Sequence, residues 1–525
     1  GRIIDALRHE RFRFKPVRRI YIPKKNRRTR PLGLPSWSDK LVGEVIRLLL
    51  EAYYEPQFSG RSHGFRPGRG CHTALREITD TWSGTNWFIE GDIADYFGSL
   101  DHSVMLGILG EKIHDGRFLG LLRNMLKAGY LEDWVWNATL SGAPQGGVVS
   151  PILSNIYLHR LDAFVETVLM PEYTRGEGRA VNPAYREVLN ASRRARRRGD
   201  REQVRELSKQ LRSLPSTDPR DPEYRRLKYV RYADDTLLGF AGPRAEAEQI
   251  KARLTTFLRD DLKLEMSQDK TLITHGRSEA ASFLGYEIIV QHNDRKATKG
   301  KRSVNSGIAL RVPLDVIKAK SAPYLKRGKP AERSWLVNED DYTIVTTYGA
   351  EHRGIVQYYL LAGDVWRLTR LQWVMETSML KTLAGKHRST VSKMARRYAA
   401  TIQTPVGPRK CFQAEVGSSR GKPLVARFGG IPLQRRKAAV LTDRQPYPTF
   451  RRGKELVTRL LTGVCEICGQ QAESVEVHHI RKLADLDKGG ASPPAWAELM
   501  ARRRRKTLVV CLVCHGGIHV GQPAA

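Results

Sequence analysis

Hydrophobic and polar positions lay out most of this chain. Residues 227–230 and 237–240 are rich in Leu, Val, Tyr and Phe and flank Arg231-Tyr232-Ala233-Asp234-Asp235-Thr236. That pattern predicts a hairpin with two adjacent carboxylates at its tip. The run Trp87-Phe88-Ile89-Glu90-Gly91-Asp92-Ile93 predicts a strand that leads to Asp95-Tyr96-Phe97. Leu153, Tyr157, Leu161, Phe164 and Val168 recur at helical spacing, with Ser150 as N-cap and Pro151 at the first helical position. An amphipathic helix is expected over 41–58, with further helices over 104–128, 244–262 and 342–400 and a strand beginning at Phe283. The aromatic residues of 342–400, among them Tyr358, Trp366 and Trp373, are read as core. Residues 171–226 are Arg-rich and poor in large apolar side chains, so they are expected to form a surface insertion, helical between 184 and 212. Residues 401–455 are basic and punctuated by Pro and Gly. No internal repeat is found.

Charge changes the picture. Lys and Arg number 89 against 55 Asp and Glu, a net charge of +34. Such an excess calls for a polyanionic partner, nucleic acid first. No apolar run is long enough for a transmembrane helix, and no signal peptide is visible. The first residue is Gly rather than Met, so a truncated or processed form is expected. Of six cysteines, Cys71 and Cys411 stand alone, while Cys465, Cys468, Cys511 and Cys514 form two CxxC pairs. Two such knuckles close a Cys₄ zinc site rather than a disulfide framework, which places the chain in the cytoplasm.

An Asp-Asp pair in a turn is ordinary turn chemistry. Phosphoryl transfer needs two metal ions about 4 Å apart, clamped by several carboxylates. A third should come from a neighbouring strand, and Asp92 fits at the end of its apolar run. Asp95 and Asp101 read as capping or surface groups. Several motifs then fall in a telling order: Arg30-Pro31-Leu32-Gly33, Gly64-Phe65-Arg66-Pro67-Gly68-Arg69, Asp92 with Phe97, Pro144-Gln145-Gly146-Gly147 before Ser150-Pro151, Tyr232-Ala233-Asp234-Asp235, and Phe283-Leu284-Gly285. As a set, over residues 1–290, they resemble the reverse transcriptases encoded by bacterial group II introns.

The resemblance implies roles. Asp92 and Asp234 would bind two Mg²⁺ ions, assisted by Asp235. Phe97 would pack beneath the incoming sugar and reject a 2′-hydroxyl. Lys24 and Arg30 would hold the triphosphate and Gln145 would line the nucleotide pocket, with Arg66 and Gly146 also at the substrate. Lys270 would brace the palm. Gly98 departs from the Asp frequent in the family. Gly354-Ile355-Val356-Gln357-Tyr358-Tyr359 and Lys381-Thr382-Leu383-Ala384-Gly385-Lys386 resemble the family's thumb, or domain X, which binds intron RNA and supports splicing.

The stretch between the two knuckles holds His478-His479, and Cys514 is followed by His515 and His519. This spacing resembles the HNH nucleases. It implies a metal ion, Mg²⁺, held by His478, His515 and His519, with His479 as general base. The pattern's middle Asn falls near Lys506, a departure that touches the orientation of His479.

The expected architecture is therefore α+β and multidomain. A right-hand polymerase with fingers and an antiparallel palm sheet spans 1–290, including the basic insertion 171–226. A helical thumb spans 291–400, a DNA-binding region 401–460, and a zinc-containing ββα-metal HNH domain 461–525. The implied protein copies RNA into DNA from dNTPs, assists splicing of its intron RNA, and nicks target DNA to prime copying (retrohoming), associated with the nucleoid. Alternatives are a non-enzymatic splicing cofactor, another reverse transcriptase class, and a DNA-only nuclease. Asp92, Asp234 and Asp235 argue against the first, the C-terminal tail against the second, and Gln145 with Phe97 against the third.

Overall fold

The computed structural model describes residues 1–23, 29–132, 135–139, 141–142, 147–218, 221–267, 269, 271–293, 297–298, 301–302, 305–417, 423–440, 455–480, 493–503 and 505–520. Lys24, Gln145, Gly146 and Lys270 lie outside them. The chain forms two compact units. The first holds residues 1–313 with two short returns, 361–364 and 435–444, and the second holds the rest.

In the first unit an antiparallel sheet lies in the order 226–232, 235–241, 87–91, 273–275. The expected hairpin is present: Arg226–Tyr232 pairs with Asp235–Ala241, from Arg226↔Ala241 to Tyr232↔Asp235. Trp87–Gly91 runs antiparallel to the second hairpin strand, with Gly91 opposite Thr236. Phe88, Ile89, Leu227, Tyr229, Leu238 and Phe240 are buried here, and the helices Ser150–Phe164 and Arg244–Asp260 bury Ile156, Tyr157, Leu161, Ile250 and Leu254. Ser150 is itself buried within the first helical turn, and the N-cap position falls on Val149.

A second sheet pairs Val17–Pro23 with Thr29–Leu34 and, in parallel, with Tyr130–Glu132. The helix expected over 41–58 spans Trp37–Tyr54, with the Ser36 hydroxyl accepting the Asp39 N–H. It is apolar on two sides: Val42, Ile46 and Leu50 are buried, while Leu41, Val45 and Leu49 face solvent. The helix expected over 104–128 is two, His102–Gly110 and Gly116–Leu126, each capped by an Asp carboxylate.

The boundary expected at 290/291 falls inside a sheet. Tyr286–Val290 pairs with Ala281–Phe283 on one side and Ile308–Arg311 on the other, so the chain through 313 belongs to the first unit. The basic insertion is a hairpin of two helices, Pro183–Arg197 and Arg201–Ser213. It joins the sheet through a narrow neck, where Arg175 and Arg225 exchange two backbone hydrogen bonds of 3.0 Å, followed by a bridge from Val181 to Thr217.

The second unit carries the helices Asp341–Tyr358, Thr369–Lys386 and Val391–Tyr398. The boundary expected at 400/401 is also displaced. Residues 399–429 form a three-stranded antiparallel sheet rather than an irregular linker. Its last strand packs on Asp341–Tyr358, the Phe428 ring lying 5.2 Å from that of His352. Near the C-terminus, Val475–His479 pairs antiparallel with Thr507–Cys511, which leads into the helix Leu512–Val520. Among the described residues no helix is long and apolar enough to cross a membrane.

Candidate active sites

The hairpin tip turns sharply. Ala233 adopts a left-handed φ of 55°, which lets Asp234 stand at the corner. Beneath it lies Arg231, completely buried. Its Nε and Nη2 donate to the two carboxylate oxygens of Asp162 at 2.7 and 2.6 Å, and its Nη1 donates to the Ala233 carbonyl at 2.9 Å. Tyr229 donates its hydroxyl to the same carboxylate at 2.8 Å. Burial alone would favour a neutral guanidinium, yet Asp162 holds it charged, above its ordinary range. The loop around Gly64 presses on the tip from another side. A Cβ at residue 64 would sit 2.4 Å from the Ala233 nitrogen, so only Gly permits this approach.

Asp92 follows the strand that lies beside the hairpin. Gly91 is opposite Thr236, so Asp92 leaves the sheet just beyond this last pair, where Asp234 and Asp235 precede Thr236. The Thr236 hydroxyl donates to the Gly91 carbonyl at 3.1 Å, and the Asp92 carbonyl accepts the Ser267 N–H at 2.8 Å. Asp92 and Asp235 line a 450 Å³ cavity together with Asp269, Glu279 and Glu90. Burial raises the Glu90 carboxyl above its usual range, although the Thr274 hydroxyl and the Ser282 N–H both donate to it. These carboxylates offer hard oxygens, the donor type that Mg²⁺ takes, although among the described residues they do not converge as the cysteine and histidine sets do.

A neighbouring pocket of 330 Å³ is lined by Arg19, Gly33, Asp95, Phe97, Ser141 and Gly142, among others. Phe97 is wedged edge-on against the buried Tyr96 ring, with centroids 5.2 Å apart. Arg30 is exposed on the strand that contributes Pro31 and Gly33 to this pocket. Arg66 corrects an expectation. It is 5% exposed; its Nε donates to the Glu55 carboxylate at 2.9 Å and its Nη1 to the Ser59 and Ser62 carbonyls at 2.5 and 2.9 Å. With its guanidinium so occupied, it ties the glycine-rich loop down.

The C-terminal module gathers two ligand sets. The sulfurs of Cys465, Cys468, Cys511 and Cys514 lie within 4.8 Å of one another, and so do the ligand nitrogens of His478, His515 and His519. Burial works to keep Cys465 protonated, yet the N–H groups of Cys468, Cys511 and Ile467 draw its thiol down to about 6. Cys514 is pushed up to about 12 by burial and the adjoining sulfurs. Four converging sulfurs, one of them readily ionised, fit a tetrahedral zinc ion. His478 is buried, and its Nε2 has no hydrogen-bond partner among the described residues. Burial, then the neighbouring imidazoles of His515 and His519, lowers its pKa and keeps it neutral, as a metal ligand must be. His479 projects from the opposite face of the strand and is exposed.

Similarities to known proteins agree with this geometry. Family models match three segments: "Reverse transcriptase (RNA-dependent DNA polymerase)" over residues 22–177, "Type II intron maturase" over 308–416, and "AI2M/AI1M-like, HNH endonuclease" over 465–515. The group II intron-encoded protein LtrA of Lactococcus lactis subsp. cremoris is 37% identical over 98% of this chain and 87% of its own length. The chain belongs to the group II intron-encoded proteins. A second relative, the "Putative COX1/OXI3 intron 2 protein" of Saccharomyces cerevisiae, is 31% identical over 97% of this chain and 60% of its own length. A telomerase structure from Candida albicans aligns over 74% of this chain and 63% of that chain at 12% identity, with a TM-score of 0.34.

As a group II intron-encoded protein, the chain joins reverse transcriptase, maturase and HNH endonuclease domains. Its departure at Gly98 has a local cause. A Cβ at residue 98 would meet Asp95 Oδ2 at 2.3 Å, so the Asp95 carboxylate fills the space where a side chain at 98 would begin. At the other departure, the Lys506 carbonyl accepts the Ile480 N–H at 3.1 Å and extends the strand ladder. Sequence reasoning missed Asp162, Arg231, Asp269, Arg19 and Glu476. The last accepts a hydrogen bond from His515 Nδ1 at 2.5 Å. Glu476 had a signal: it lies two residues before His478 on a strand, and so shares its face.

Proposed function

We propose that this protein copies RNA into DNA at the Asp92–Asp234–Asp235 corner and nicks target DNA at the His478–His479–His515–His519 cluster. Asp92 and Asp234 would hold two Mg²⁺ ions, with Asp235 beside them. Bound there, the ions would neutralise the negative charge that develops in phosphoryl transfer. The residues supply position. Arg231 fixes the tip carbonyl, so the two hairpin carboxylates keep one geometry. Phe97 lines the 330 Å³ pocket and would be the wall against which the sugar of a dNTP packs, disfavouring a 2′-hydroxyl. Arg30, with Lys24, Gln145 and Gly146 of the family motifs, would complete the triphosphate and base contacts, and Lys270 would brace the palm.

In the nuclease module, His478, His515 and His519 would hold one Mg²⁺ ion. His479 would take the proton from the attacking water, a task for which a near-neutral imidazole is suited. The Cys₄ set would hold a structural zinc ion. Intron RNA, target DNA and dNTPs are the partners, and the work takes place on nucleoid DNA in the cytoplasm. The nicked 3′ end would then serve as primer.

The observation that supports this reading is the strand register: Asp92 directly follows Gly91, which lies opposite Thr236, and Asp234 and Asp235 directly precede Thr236. The test is primer extension on an RNA template with Mg²⁺, comparing the unmutated protein with Asp234→Ala. Extension should be abolished by the substitution while RNA binding persists. No extension by the unmutated protein, with intron RNA still bound, would favour a splicing cofactor instead.

A further inference from the structure

The second unit contains a cavity that the activities above do not use. It measures 560 Å³ and is lined by Trp366, Thr369, Gln372, Arg409, Lys410 and Gln434, among others. That volume lies within the roughly 300–1,000 Å³ of ordinary ligand sites. Its most unusual member is Trp366, which is 64% exposed, although the aromatic residues of this region read from sequence as core.

Trp366 is presented to solvent by rigid mounting. It lies in the short 3₁₀ turn Val365–Leu368, whose end residues Val365 and Leu368 are buried. The Thr369 hydroxyl donates to the Trp366 carbonyl at 2.6 Å and locks the turn onto the long helix that follows. The indole is thus held out between two buried anchors. A large apolar surface fixed in water costs free energy unless a ligand covers it.

The rest of the lining says what kind of ligand. Arg409 and Lys410 are exposed on the strand Gly407–Val416, and neither has a carboxylate within ion-pairing distance among the described residues. Gln372 and Gln434 offer amide donors and acceptors. A flat aromatic face, two uncompensated cations and hydrogen-bonding amides match a nucleobase with its phosphate. An acidic peptide would satisfy the cations and leave the indole bare.

We propose that this cavity captures one unpaired nucleotide of structured RNA, stacking the base on Trp366 and pairing the adjoining phosphate with Arg409 and Lys410. The proposal rests on the RNA-binding reading above and adds to it the place where unpaired RNA is distinguished from duplex. Such a contact would anchor a loop or bulge, since a base inside a helix cannot reach an indole.

The test uses the full chain and a stem–loop RNA with one 5-iodouridine in the loop, beside a blunt duplex of the same stem. Irradiation should attach the loop to the peptide containing Trp366. Trp366→Ala should lose the adduct and weaken stem–loop binding roughly 5- to 100-fold, the size of one base–aromatic stack. Trp366→Phe should retain most of the affinity, and Arg409→Ala with Lys410→Ala should weaken binding and flatten its salt dependence. Primer extension on an unstructured template should be unchanged in every variant. Equal affinities for Trp366→Ala and the unmutated protein, or an adduct only elsewhere, would overturn the proposal. Failure of the unmutated protein to bind the stem–loop at all would overturn the RNA-binding reading, and this one with it.

Discussion

Arg231 and Asp162 form a fully buried pair, each 0% exposed, that spans from a helix to the strand before the hairpin tip. The two charges would be intolerable singly in that interior, so each justifies the other. Asp162→Asn should cost about 3–5 kcal/mol, because the guanidinium is left buried without a counter-charge. The expected outcome is a lower thermal transition for the first unit and slower primer extension, since the Ala233 carbonyl loses its fixed anchor. An unchanged transition would show that the interior hydrates the freed guanidinium. None of this was legible in the sequence, where 69 residues separate the partners. The converging sulfurs and imidazoles were legible because they come in short-range pairs. Arg66 was misread for the converse reason. A cation in a Gly-Pro loop suits a substrate or a loop anchor equally well, and nothing in the local pattern marks Glu55 as its partner.

Elements carry a different kind of information. The sheet over 399–429 was read as an irregular basic stretch because most of its buried positions are small, Cys411, Ala414 and Ala426, while apolar Val416, Leu424 and Val425 are exposed beside Arg409, Lys410 and Arg427. Only Phe428 announces a core position, and it lies against His352. That histidine is 0% exposed, and both ring nitrogens lack partners among the described residues. Burial, then the charge of Arg353, depresses its pKa to about 4. The folded state therefore keeps the ring neutral, while the unfolded chain takes up a proton at the ordinary histidine value. Stability is full above about pH 6.5 and is lost as pH falls toward 4, by up to about 3 kcal/mol. Denaturation of the second unit followed from pH 7 to 4 should show this slope, and His352→Phe should remove it. A slope that survives the substitution would assign it to other groups. The boundaries expected at 290 and 400 both fall within sheets, at the end of the strand Tyr286–Val290 and inside the strand Ala399–Thr404, which composition does not register.

At the scale of the molecule, a net charge of +34 spread over both units makes affinity for RNA a function of salt. If six or more phosphates are neutralised, binding should weaken on the order of a thousandfold between roughly 50 and 200 mM salt, linearly on logarithmic axes. A filter-binding titration at several salt concentrations measures the slope, and a flat response would remove charge as the main source of affinity. The order of domains was the most legible property of the chain, because no single motif had to carry it. The one large interruption in that order is the pair of arginine-bearing helices between 183 and 213. It leaves the sheet at Arg175 and returns at Arg225, two residues that face each other across a pair of backbone hydrogen bonds. A segment whose ends already touch imposes no spacing on its host. The polymerase sheet can therefore accept a short turn in its place, or a different module, without any strand changing register. In evolutionary terms that neck is a graft point: the enzyme's surface chemistry can be exchanged there while its carboxylate corner stays constant.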